Sequence, residues 1–256
     1  AIPMTDIFEA FDAVSDIERF WPLLAGAGLS GLVRGFSGFG TAMIFIPIAA
    51  QVLPPIWVLT AMVVMDIFGP LPAVPQALRE GQLGDIARLG LATLICLPFG
   101  VFVLKTLPFD TFRYGVSIIT LMLLAMLIGG LRQRRPISRP LLYTTGGIAG
   151  MLGGSVGLAG PPVILLYMSS PLPVARIRAN TLLFLVLAAF AMLFMFAANG
   201  LLELTPILIG LGLVVPYTLA TMIGVALFDP NRETLYRRIG YVIIAASAII
   251  GLPLFD

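Results

Sequence analysis

The sequence predicts an all-α integral membrane protein of two inverted repeats. Each repeat is a glycine-rich broken, re-entrant helical segment followed by three transmembrane helices. Three observations predict this fold. The 256 residues are 59% hydrophobic and 11% charged, with a mean hydropathy of +1.04. Two long apolar stretches are interrupted by glycine-rich motifs that start 119 residues apart, at Gly31 and Gly150. Lysine and arginine gather on one side of the membrane once both interrupted stretches fold back on themselves.

A soluble domain carries about 25% charged residues, so this chain cannot cover a soluble surface and must be solvated by the lipid bilayer. A water-soluble enzyme, a nucleic-acid binder and a disordered chain are excluded, and a net charge of +2 implies no polyanionic partner. There is no histidine, and Cys96 is the single cysteine, which leaves no ligands for a Cys/His metal site and no pair for an internal disulfide. Of thirteen carboxylates, five lie in the first twenty residues. Catalysis is hard to build from this inventory and moving a solute is easier. No enzyme activity, cofactor or metal is expected.

Residues 1–20 hold Asp6, Glu9, Asp12, Asp16 and Glu18, with Ile7, Phe8, Phe11, Val14 and Ile17 at roughly helical spacing. They read as an interfacial amphipathic lead-in, without the basic region and cleavage site of a signal peptide. Eight apolar stretches follow, near 21–53, 56–78, 86–104, 114–131, 141–169, 177–199, 204–227 and 239–255. Six have spanning length. The first and fifth are longer, and runs 34–40 and 153–162 divide them with glycine and proline at a density that breaks a helix.

The interruptions mark an internal repeat. Gly31, Gly35 and Gly38 fall on Gly150, Gly154 and Gly157, and Pro98 has a counterpart near Pro216. The first repeat then covers 21–131, a basic cytoplasmic linker covers 132–140, and the second repeat covers 141–256. If all eight stretches cross once, the Lys and Arg divide evenly. If both broken segments are re-entrant, eleven of the fourteen besides Arg34 share one side, which places both termini outside. Folding back only the fifth stretch also gives a strong bias, with the N-terminus inside. The repeat is what extends re-entrance to the first.

Inverted repeats with broken helices are a recurring design of secondary transporters. A break frees backbone amides that need partners, and a half-helix N-terminus suits an anion. The alternative is that the glycines only allow close helix packing. Two ionisable residues stand inside apolar stretches: Arg34 at the first break, and Asp66 among Val63, Val64, Ile67 and Phe68. Arg34 offers a fork of donors for anionic oxygens. Asp66 is either its ion-pair partner or a carrier of a coupling ion. In RIRANT, Arg176 and Arg178 point to different helix faces, and Asn180 opens an apolar helix. Candidate substrate-binding residues are Arg34, Ser37, Gly38, Gly40, Thr41, Ser155, Gly157, Gly160, Pro161, Arg178 and Asn180.

The segments GLVRGFSGFGTAMIFIP (31–47), GMLGGSVGLAGPPVILLY (150–167) and RIRANTLL (176–183) resemble the repeated signature of the sulfite exporter TauE/SafE family, also called the 4-toluene sulfonate uptake permeases. The resemblance runs from about residue 21 to 252. It implies transport of sulfite, sulfonates or related organosulfur anions across the bacterial inner membrane, and two breaks meeting at the centre would form one site open to either side in turn, as alternating access requires. The second break departs from the first in holding Gly153 where the first holds Arg34. A carrier of small carboxylates, or a membrane protein acting as an assembly partner, are the alternatives. A coupling proton or sodium ion and a homodimer complete the expected partners.

Overall fold

In the computed structural model, residues 17–129, 137–229 and 233–253 are described, and every regular element among them is helical. The lead-in up to residue 16 and linker residues 132–136 lie outside them. In chain order the α-helices are α1 (Ile17–Ser37), α2 (Thr41–Ala49), α3 (Pro55–Phe68), α4 (Val74–Glu80), α5 (Leu83–Thr106), α6 (Phe109–Gly129), α7 (Arg139–Val156), α8 (Gly160–Ser169), α9 (Val174–Ala198), α10 (Leu204–Leu227) and α11 (Glu233–Ile250). Four of them, α5, α6, α9 and α10, are long and apolar enough to cross a membrane.

Both predicted breaks are present, with unequal arms. The first divides a 21-residue helix from one of nine, and the second divides 18 residues from ten. The turn residues explain where. Gly38 and Gly157 hold φ of 80° and 78°, a left-handed backbone that side chains disfavour. That geometry folds the Gly38 N–H back onto the Arg34 carbonyl at 2.7 Å and the Gly157 N–H onto Gly153 at 3.0 Å. At 1.5 Å per residue the short arms α2 and α8 are about 13–15 Å long, half the thickness of a bilayer core.

The short arms form the centre of the molecule. Met43, Ile44, Phe45 and Ile46 of α2 and Val163 of α8 are fully buried. The long helices surround them and turn apolar side chains outward, among them Ile95, Phe99 and Phe102 of α5, Phe194 of α9 and Met222 of α10. On a soluble protein such a surface would be a liability. Here it is the face that lipid solvates.

Two predicted spans are not among the four membrane-crossing helices: 239–255 falls on α11, which starts earlier, at Glu233, and includes Arg237 and Arg238, and 56–78 is divided. The stretch 56–78 is not a single helix: α3 ends at Phe68, a 3₁₀ turn follows at Leu71–Ala73, and α4 begins at Val74. Pro70, Pro72 and Pro75 remove three backbone donors within six residues. The chain also turns at Gly69 under the Tyr217 ring, where a Cβ would lie 2.6 Å from Cε1.

The packing between halves follows the repeat. Helix α1 lies along α10, and α7 lies along α5. Both crossings are backbone-close. A Cβ on Gly35 would meet the Thr221 carbonyl at 2.3 Å, and one on Gly154 would meet the Leu97 carbonyl at 2.6 Å. The two glycine readings therefore apply to different glycines. Gly31, Gly35, Gly150 and Gly154 are packing positions, whereas Gly38, Gly40 and Gly157 make the breaks.

These contacts also set the register of the third helix in each half. Gly150 faces Thr93 and Gly154 faces Gly100, while Gly31 faces Tyr217 and Gly35 faces Gly224. The matching positions are thus 124 apart (Thr93 with Tyr217, Gly100 with Gly224). Pro98 and Pro216 are 118 apart, so they share corresponding helices but not corresponding positions.

Candidate functional site

The two breaks converge on one cavity of about 60 Å³. A single water needs roughly 10–15 Å³ of such space, so there is room for a few waters or one small oxyanion. Its wall includes Arg34, Gly40, Thr41 and Asp66 from the first half, and Gly153, Gly157, Gly160 and Pro161 from the second. Most of the remaining lining is apolar, including Met62, Leu97, Ile164 and Met192.

The polar end is a connected network. Arg34 Nη1 donates to Asp66 Oδ1 at 2.8 Å and to Thr41 Oγ1 at 3.1 Å. The Thr41 and Tyr217 hydroxyls are 3.0 Å apart, and Tyr217 Oη donates to Asp66 Oδ1 at 3.0 Å. Proton accounting orders the chain. Arginine only donates, so Thr41 accepts from it and gives its own proton to Tyr217, whose proton goes to the carboxylate. The Arg34 and Asp66 side chains are 10% and 13% exposed, so each charge depends on the other. Both of these Arg34 bonds come from Nη1, one end of the guanidinium fork.

Backbone geometry adds donors at the same end. The first helical bond of α2 is from Ile44 N to Gly40 O, at 3.1 Å. The amides of Thr41, Ala42 and Met43 therefore have no helical acceptor, and all three residues line the cavity. The second break does not match this. Helix α8 opens Gly160-Pro161-Pro162, and two of its first three residues have no N–H to offer.

Of the residues singled out in the sequence, the structure brings Arg34, Gly40, Thr41, Asp66, Gly157, Gly160 and Pro161 to the cavity. It does not bring the others there. The Ser37 hydroxyl is 2.7 Å from the Val33 carbonyl and accepts the Phe39 N–H at 3.3 Å, pinning the turn beside the exposed Gly38. Ser155 donates to the Met151 carbonyl one turn back, at 2.7 Å. Arg178 is exposed, with its guanidinium 5.5 Å from the centre of the Phe228 ring. Asn180 is fully buried and accepts the Gln82 N–H at 2.7 Å, tying α9 to the α4–α5 connection.

Tyr217 and Thr93 are the polar site residues that sequence reasoning missed. A tyrosine in the middle of an apolar span, directly after Pro216, was the available signal. Tyr217→Phe is expected to strand the Thr41 proton and remove one bond from Asp66. The loss is about 1–2 kcal/mol of stability, seen as a lower melting temperature in detergent with the helical signal unchanged.

Lipid-facing helices surrounding two helices interrupted at glycine turns, with a cavity at the breaks that holds a largely buried cation–carboxylate pair, define a membrane protein built to handle a small solute. The chain belongs to the sulfite exporter TauE/SafE family, whose model matches residues 23–250. The members of this family are transporters, not enzymes. The chain is 25% identical over 251 residues to the "Probable sulfite/organosulfonate exporter TauE" of Cupriavidus necator, covering 92% of this chain and 96% of that protein. No solved structure matches it.

Proposed function

We propose that the chain is a secondary transporter carrying small sulfur-containing anions out across the bacterial inner membrane by alternating access. The observation that carries this reading is the Arg34–Asp66 pair, held at the cavity where both breaks meet. The export direction and the sulfur chemistry follow the name of the Cupriavidus protein.

The anion would be held by the Arg34 guanidinium and the amides at the start of α2. A half-helix N-terminus with its partial positive charge stabilises the same group. An anion arriving beside an ionised Asp66 leaves the site with one excess negative charge. A proton taken up by Asp66 removes that excess, which would couple transport to a proton gradient. The charged and titratable groups in contact with Asp66 are Arg34 from α1 and Tyr217 from α10.

The exchange of contacts, α1 on α10 as α7 on α5, supports two repeats related by a two-fold axis, and the lysine and arginine count supports their inversion. Both short arms would then return to the side from which their long arms entered. Cysteines placed in the connection 51–54 should label from the same side as cysteines placed before Ile17. Labelling from opposite sides would sink the re-entrant reading of the first break.

The function is tested in proteoliposomes with sulfite and methanesulfonate against acetate and propionate. Saturable flux of the sulfur anions is the expected result. Flux of the carboxylates alone would replace this reading with a carboxylate carrier. No flux of either, with specific binding of another protein, would favour an assembly partner.

A further inference from the structure

We propose that the cavity is built for a single-headed anion with a short, unsubstituted apolar tail, the head at the first repeat and the tail against the second. This rests on the reading above and narrows it to a substrate class.

The two repeats meet in the cavity at corresponding positions, so their contributions can be compared residue by residue. The register is fixed twice over. Gly38 and Gly157 make the two turns, and Pro54 and Pro173 cap α3 and α9; both pairs are 119 apart. On that register Arg34, Thr41 and Asp66 correspond to Gly153, Gly160 and Leu185, and all six line the cavity. In the third helices Tyr217 corresponds to Thr93, whose hydroxyl is committed to the Gly146 carbonyl at 2.9 Å.

Each group at the polar end, Arg34, Thr41 and Asp66 of the first half and Tyr217 of the second, therefore has an apolar or committed counterpart at the other end. The amides follow the same division, since Pro161 and Pro162 stand where Ala42 and Met43 offer N–H groups. Leu185 closes the apolar end: a Cβ on Gly160 would lie 2.9 Å from its Cδ2.

A sulfonate head bound at Arg34 has its carbon tail directed at this apolar end. An alkyl tail is desolvated there at no polar cost. A hydroxyl, an ammonium or a second sulfonate on the tail loses its water there and regains at most the Thr93 hydroxyl oxygen and the Gly160 N–H, too few to replace its hydration.

Competitive binding to the purified full chain in detergent tests this with methane- and ethanesulfonate and three substituted ethanesulfonates (2-hydroxy, 2-amino and 2-sulfo). Ethanesulfonate should bind about fourfold more tightly than methanesulfonate, the value of one buried methylene. The three substituted compounds should bind at least tenfold more weakly than ethanesulfonate. Leu185→Asn should narrow the gap between 2-hydroxyethanesulfonate and ethanesulfonate about tenfold. Should that variant misfold, the panel on the parent protein decides. Equal or tighter binding of the amino or disulfonate compound overturns the apolar-tail inference and leaves the transporter reading intact. Failure of sulfite and every sulfonate to bind overturns the transporter reading and this inference with it.

Discussion

Replacing Arg34 by Ala and Asp66 by Asn together is expected to cut anion affinity ten- to hundredfold in a protein that still folds. Each single change is expected to behave differently. Arg34→Ala leaves the Asp66 carboxylate in a cavity wall with Tyr217 as its remaining donor. Asp66→Asn leaves a guanidinium there without a counter-charge. Breaking a buried pair from one side costs about 3–5 kcal/mol, and side chains 10% and 13% exposed place these variants toward the lower end of that range. The double variant removes both charges, so its deficit in binding reports on the ligand rather than on folding. A lost charge-assisted bond costs about 1.5–3 kcal/mol, which is the stated loss of affinity. Arg34→Lys keeps the charge but loses the fork, and should also bind poorly. Asp66→Asn, where it folds, should bind anion yet lose the dependence of flux on a pH gradient. Titration calorimetry reads the affinities and proteoliposome flux reads the coupling. A folded double variant that binds like the parent would make Arg34 a packing residue.

The four long spans and both breaks are legible in the sequence because each rests on a local signal. Mean hydropathy marks α5, α6, α9 and α10, and dense glycine marks the turns at Gly38 and Gly157. The split between α3 and α4 was missed because hydropathy does not register a turn between two apolar helices. Proline alone was no guide, since Pro47, Pro98 and Pro216 stay inside continuous helices. The discriminating signal was three prolines behind a glycine at Gly69-Pro70-Leu71-Pro72, with Pro75 beyond. Arg34 and Asp66 were legible as charges where charge is costly, and their pairing is a short step from there. Tyr217 enters the site from the other half of the chain, 151 residues beyond Asp66, and no local pattern announces such a contact. Ser37 and Ser155 show the opposite limit. Each hydroxyl reaches a carbonyl four residues back, a use that spacing cannot tell from pointing at a ligand.

The largest effects on stability are expected where glycine backbones cross. In lipid, helix association draws on close van der Waals packing rather than on the hydrophobic effect, so these crossings hold the two halves together. At Gly35 an added Cβ would lie 2.3 Å from the Thr221 carbonyl and 2.8 Å from Gly224 Cα; at Gly154 it would lie 2.6 Å from the Leu97 carbonyl and 2.7 Å from the Val101 nitrogen. These neighbours are backbone atoms of a facing helix and cannot rotate away, so the helices must separate along their length. Overpacking a core costs about 1–3 kcal/mol when side chains can adjust, and Gly35→Val and Gly154→Val should exceed that range. Gly28 and Gly212 lie in the same helix pair, in α1 and α10, with nothing within 4 Å of an added Cβ. Changing either to Ala should be neutral or stabilising, because alanine is the better helix former by up to about 1 kcal/mol. Monodisperse yield and melting temperature in detergent measure all four variants. The valine variants should aggregate or melt far below the parent, and the alanine variants should not. Should Gly35→Val and Gly154→Val melt with the alanine controls, the two crossings are looser than backbone contact and the halves are held together elsewhere.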